Sequence, residues 1–130
     1  MAKDFLIRGN AKLSTIKKRF SELVPFLTLN FYTEEEIKKG EEGNGMVPID
    51  TSKRISEVRT KKNSDEFKVV RQTKVGTIEK RLLKDYGLVV QICVKDADGQ
   101  EYYTGDGYDD KTLAEMNKEM ESRGQFVPYV

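Results

Sequence analysis

Over residues 4–33 the apolar positions change period twice. Phe5 and Ile7 alternate with polar neighbours in residues 4–8, the two-residue period of a strand with one buried face. Gly9 and Asn10 end it. Ile16, Phe20, Leu23 and Val24 then recur at helical spacing, with Ser14 or Thr15 able to cap the helix and Lys17, Lys18 and Arg19 outward. Pro25 cannot continue that helix, because its ring blocks the preceding turn and it has no amide hydrogen. Leu27, Leu29 and Phe31 resume alternation between Thr28, Asn30 and Tyr32, so the pattern predicts strand, helix, strand.

The order returns later. Phe67 and Val69 alternate in residues 66–72, and a helix beginning at Thr77 carries Ile78, Leu82, Leu83 and Tyr86. Gly87 closes it, as glycine does by accepting a left-handed backbone, and residues 88–95 form the strongest aliphatic strand. At an offset of 62, Lys12, Thr15, Ile16, Lys18 and Arg19 fall on Lys74, Thr77, Ile78, Lys80 and Arg81. One residue fewer puts Leu27, Leu29 and Phe31 on Leu88, Val90 and Ile92. Shared phase across strand, helix and strand is the mark of a repeated supersecondary unit.

The intervening segments complete each copy. Residues 34–45 are charged and carry three glycines, which predicts a mobile surface loop, with room for one helical turn before it at 34–39. Residues 46–49 read as a short third strand, confined to an edge by Pro48. Asp50, Thr51 or Ser52 offers a cap for a short helix through Ile55 and Val58, and residues 59–65 are a polar link. In the second copy, Asp96 to Gly99 predicts a tight hairpin into residues 100–104, followed by a helix over 111–122 capped by Asp109 or Asp110. Leu113, Met116 and Met120 face inward on that helix.

A hairpin makes its strands antiparallel, while a strand, helix, strand step suits a right-handed parallel crossover. The expected fold is therefore α+β: two tandem copies of strand-helix-strand-strand-helix sharing one core, helices in a layer on a mixed sheet, related by a pseudo-twofold. The copies span about 4–60 and 66–122 of a single domain covering 1–130, with a tail at 123–130. Each half alone would bury too little surface to be stable.

Composition narrows the class. Charged residues are 35% and apolar ones 37%, with six tyrosines and six phenylalanines, as in a soluble globular protein. No apolar run approaches the ~20 residues of a membrane span, and the first ten residues lack a signal-peptide core. With a single cysteine, Cys93, the expected setting is cytoplasmic with no membrane partner. The net charge is +1, but residues 51–84 hold 11 basic side chains against 4 acidic, and residues 85–130 hold 4 against 10. Such asymmetry can mark an interaction surface.

The chemistry is mostly a matter of exclusion. Without histidine there is no Ser-His or Cys-His nucleophile and no imidazole ligand for a transition metal. Lys95 stands near Cys93, yet a structural cysteine on a strand is the plainer reading. Asp96, Asp98, Asp106, Asp109 and Asp110 could gather around a hard cation, but DADGQE departs from a calcium loop at its sixth position, where glycine is needed and Glu101 stands. Turn and cap roles account for these acids. The glycines at 40, 43 and 45 and at 99, 105 and 107 lead into no Lys-Ser or Lys-Thr helix start, so no phosphate loop is present.

At VGTIEKR, GLVVQICVKDADG and DDKTLAEMN the chain resembles a group of small uncharacterised bacterial proteins. They share a K-V-G-T-x-E-K-R helix start and a D-D-x-T-L helix start. The resemblance covers residues 66–118 well and 4–60 more loosely, and it implies no activity. The expectation is a protein that is not an enzyme and needs no cofactor or metal. It would be a non-catalytic protein-interaction module of unknown partner, with a homodimer among its forms, using an edge strand, its charged faces or the tail residues Phe126 and Tyr129. The alternative is a small nucleic-acid-binding protein using a basic surface of Lys18, Arg19, Arg59, Lys61, Lys62, Lys80 and Arg81. Tyr32, Tyr102, Tyr103 or Tyr108 would stack on bases.

Overall fold

Alternating and helical runs fold where their periods place them. The computed structural model describes residues 4–43, 47–62, 66–95, 101–103 and 108–122. In chain order the elements are β1 (Phe5–Ile7), α1 (Leu13–Leu23), β2 (Leu27–Tyr32), α2 (Glu34–Glu41), α3 (Ile55–Val58), β3 (Phe67–Val69), α4 (Val75–Tyr86), β4 (Val89–Lys95), β5 (Glu101–Tyr103) and α5 (Leu113–Ser122). The fold is α+β. One apolar cluster joins Phe5 and Ile7, the inner stripes of α1 and α4, alternate residues of β2 and β4, and Leu113, Met116 and Met120 of α5.

The sheets are not mixed. Every strand pairing among the described residues is antiparallel, in a two-stranded sheet of β1 and β3 and a three-stranded sheet ordered β2-β4-β5. The strands flanking α1 do not lie side by side, so the crossover geometry never arises. β1 pairs with β3, with Phe5 opposite Val69, Leu6 opposite Lys68 and Ile7 opposite Phe67. β2 pairs with β4 over six residues, from Leu27 opposite Val94 to Tyr32 opposite Val89, with Asn30 opposite Gln91.

The helix starts also differ from expectation. Neither Ser14, Thr15 nor Thr77 caps a helix; α1 and α4 begin after Lys12 and Lys74, which make no side-chain cap. Main-chain carbonyls from the later loop do the work. The amides of Leu13 and Ser14 donate to Lys53 and Thr51, and those of Val75 and Gly76 to Lys111 and Asp109, at 2.8–3.0 Å. In return the amides of Ile55 and Leu113 donate to Ala11 and Thr73, both at 2.9 Å. Asp109 thus serves α4 rather than α5, where Thr112 and Glu115 form a reciprocal capping box at 3.1 and 2.9 Å.

The helical turn expected at 34–39 extends to a helix over residues 34–41, because the Thr33 hydroxyl accepts the Glu36 amide and three glutamates occupy the positive first turn. Residues 47–49 form no strand. Pro48 has no amide to extend a ladder, and one bond, from the Ile49 amide to Phe31 at 2.7 Å, ties the segment to β2. The expected turn at 96–99 and the tail with Phe126 and Tyr129 lie outside the described residues.

Candidate functional site

Two hollows open beside the three-stranded sheet, each under a long helix. The first, of about 440 Å³, is lined by Ser14, Lys17, Lys18, Ser21 and Glu22 of α1, Thr28 of β2, Lys95 of β4 and Thr51. On α1 these residues recur three, four and seven apart, so they share the flank beside the buried stripe of Leu13, Ile16, Phe20 and Leu23. Lys17 is positioned by the Asn30 side-chain oxygen at 3.2 Å, and Glu22 is drawn toward Arg19 at 3.6 Å. Thr28 is 1% exposed.

The second hollow, of about 350 Å³, lies between α2 and α4. Ile37, Leu83 and Val89 line it, flanked by Glu34, Glu35, Lys38 and Glu41. Leu83 is 40% exposed, although it sits on a helix whose other aliphatic side chains are buried. On α2, Glu36 accepts the Val47 amide at 3.1 Å and pairs with Lys39 of the same helix. Those two contacts, the amide first, keep the Glu36 carboxyl below the usual carboxylate range.

The basic residues expected to form one surface divide between two helices. Lys18 and Arg19 lie on α1, the first lining the hollow and the second paired with Glu22. Lys80 and Arg81 lie on α4, and Thr60 and Lys61 donate their amides to the Tyr86 carbonyl at its end, which brings Arg59, Lys61 and Lys62 to that helix. Arg81 is engaged: it pairs with the buried Asp85 at 2.7 Å and lies over the Phe67 ring at 5.1 Å. Tyr32 is 8% exposed, too buried to stack on a base, and Tyr108 packs under Lys111 at 5.4 Å.

Cys93 is buried in the sheet, with the Asn30 side-chain amide 3.6 Å from its sulfur, as a structural cysteine. Of the acids expected to converge, Asp96, Asp98 and Asp106 lie outside the described residues. Asp109 and Asp110 sit before α5, and Asp109 Oδ1 is buried without a hydrogen-bond partner. Among the described residues no group of three or more cysteine, aspartate or glutamate side chains gathers to hold a metal, and no helix is long and apolar enough to cross a membrane.

Sequence reasoning passed over both hollows. The first combines four segments with no local motif, and its lysines read as a solvated helix face. One signal was present: Thr28, Asn30, Gln91 and Lys95 are polar positions on one face of otherwise aliphatic strands. The chain matches no protein-family model, no curated protein and no solved structure.

Proposed function

We propose that the chain is a non-catalytic protein-interaction module, built from two copies of one unit fused about a pseudo-twofold axis, whose docking surface is the hollow between α2 and α4. Two of the three strand pairings among the described residues support the duplication. At the 62-residue offset Leu6 corresponds to Lys68, its own partner in the β1–β3 ladder, and at 61 Asn30 corresponds to Gln91, its partner in β2–β4. An axis passing through both pairs relates the halves. The reciprocal amide bonds that start α1 and α4 also match, their helix-side residues at the offset of 62 and their loop-side residues at one of 58. The buried lone cysteine fits a reducing compartment, and we place the protein in the cytoplasm.

The observation that carries the reading is Leu83, a large aliphatic side chain exposed on an otherwise buried stripe and facing Ile37 and Val89 in an open hollow. Exposed apolar surface rimmed by charge is a docking feature. Three glutamates against one lysine on the flanks select a partner segment that is basic and offers aliphatic side chains.

The test uses two labelled helical peptides with the same leucine stripe, one bearing lysines on its other face and one glutamates, followed by fluorescence anisotropy. The lysine peptide is expected to bind at least tenfold tighter, and Leu83→Asp to abolish the difference. Equal binding of both peptides, or binding indifferent to Leu83→Asp, would overturn the reading. The nucleic-acid alternative draws on the link residues Thr60 and Lys61, held to the end of α4 near Lys80 and Lys84. Single-stranded DNA binding that weakens steeply with salt and is lost on replacing Lys61, Lys62 and Lys80 by alanine would put it first.

A further inference from the structure

Among the described residues α2 is the helix that buries no side chain. Its one apolar residue, Ile37, is half-buried and lines the hollow with Leu83 and Val89. The helix has eight residues, one of them Gly40. Isolated helices shorter than ~12–15 residues are marginal in water, and an interior glycine weakens them further. What holds α2 in shape is local: the Thr33 cap, the three glutamates of its first turn, and Glu36, which ties the helix to Val47 of the returning chain.

The ends of this excursion are pinned to one strand. Tyr32 stands in the ladder opposite Val89, and the chain comes back at Ile49, whose amide donates to Phe31 at 2.7 Å. α2 can therefore swing aside without breaking a rung between β2 and β4. The size of the hollow supplies the reason to do so. At about 350 Å³ it lies at the low end for a small-molecule site, whereas a helix with its side chains is about 10 Å across. A helical partner cannot seat an apolar stripe between α2 and α4 as they stand.

We propose that α2 is a lid, which opens as a unit while the rest of the fold stays intact and lets a helical partner dock on Leu83 and Val89. The proposal rests on the docking reading above and adds its regulation. Moving parts of this kind come from the least stable region of a fold. The measured affinity is the intrinsic one reduced by the open fraction, so the stability of α2 itself sets how tightly the partner binds.

The experiment pairs native-state hydrogen exchange of the full chain with anisotropy titration of the lysine-bearing leucine-stripe peptide. Two variants join the unaltered chain. Thr33→Ala removes the cap, and Gly40→Ala raises helix propensity where no left-handed backbone is required; neither changes a charge. Amides of residues 37–42 are expected to be at least a hundredfold less protected than those of residues 79–86, and to exchange at a rate insensitive to low urea, because a local opening exposes little surface. Thr33→Ala should lower the protection of α2 about three- to fivefold and tighten the peptide by the same factor. Gly40→Ala should do the reverse by about as much, with α4 unchanged in both. Protection of α2 equal to that of α4, or no protection at all, would overturn the lid. Peptide binding that weakens in Thr33→Ala would make α2 a fixed wall, ending the lid and leaving the docking reading in place. A peptide that binds none of the three proteins would overturn the docking reading, and the role of the lid with it.

Discussion

The hollow beside α1 and the hollow beside α4 each set a helix flank against the three-stranded sheet, and they carry different side chains. Ser21, Thr28 and Lys95 line one hollow; 62, 61 and 61 residues away in sequence, Leu83, Val89 and Glu34 line the other. One set is hydroxyl and cationic, the other aliphatic and acidic. The apolar stripes beneath them, Ile16 and Phe20 on α1 and Ile78 and Leu82 on α4, are buried alike. Core positions are held by packing, while the rim of each hollow is free to take up its own chemistry. Position in the fold alone therefore does not decide what a surface recognises.

The deepest test of the likeness is in the core. Phe20→Ala and Leu82→Ala should each cost about 3–4 kcal/mol, and each should lower a single cooperative transition seen by both circular dichroism and calorimetry. Two separate transitions would mean that the two helices do not share a core. Next come the helix ends. α4 closes on Gly87 at φ 70°, where a Cβ would run into the Thr60 hydroxyl, whereas α1 ends at Val24 with φ −136°. Gly87→Ala should cost about 2 kcal/mol by urea denaturation and loosen the link at Thr60.

The paired arginines should separate more sharply than the helices they sit on. Arg81→Ala leaves Asp85, whose side chain is 5% exposed, without its ionic partner, and should cost about 2 kcal/mol. Arg19→Ala breaks an exposed pair and should cost less than about 0.5 kcal/mol. Equal losses would remove the distinction. Smallest is a pH effect at the second capping position. The Thr112 amide holds the Glu115 carboxyl below its ordinary 4.5, so its contribution is fully present above that value and is lost as pH falls through the folded-state pKa. Glu115→Gln should flatten the acid side of the melting-temperature profile, and an unchanged profile would remove this role.

The elements were legible because their periods are local. Leu27, Leu29 and Phe31 announce a strand, and Ile78 and Leu82 a helix, whatever lies around them. The helix caps were not, because Lys53, Thr51, Lys111 and Asp109 act through carbonyls that any residue owns. Pairing was hidden as well. The strand, helix, strand order favours a parallel crossover, but β1 and β2 instead pair with β3 and β4, some sixty residues away. The hollows were least legible, since Thr28 and Lys95 acquire meaning only when the sheet sets them beside α1.

Those distant pairings also fix the order of events during synthesis. β2 leaves the ribosome about sixty residues before β4, its neighbour in the sheet. In the interval α1 is the one long element near enough in sequence to cover its apolar face, and both strand edges stand open to other chains. The nascent chain commits to its sheet only when residues 89–95 emerge, and until then β2 depends on the helix that precedes it.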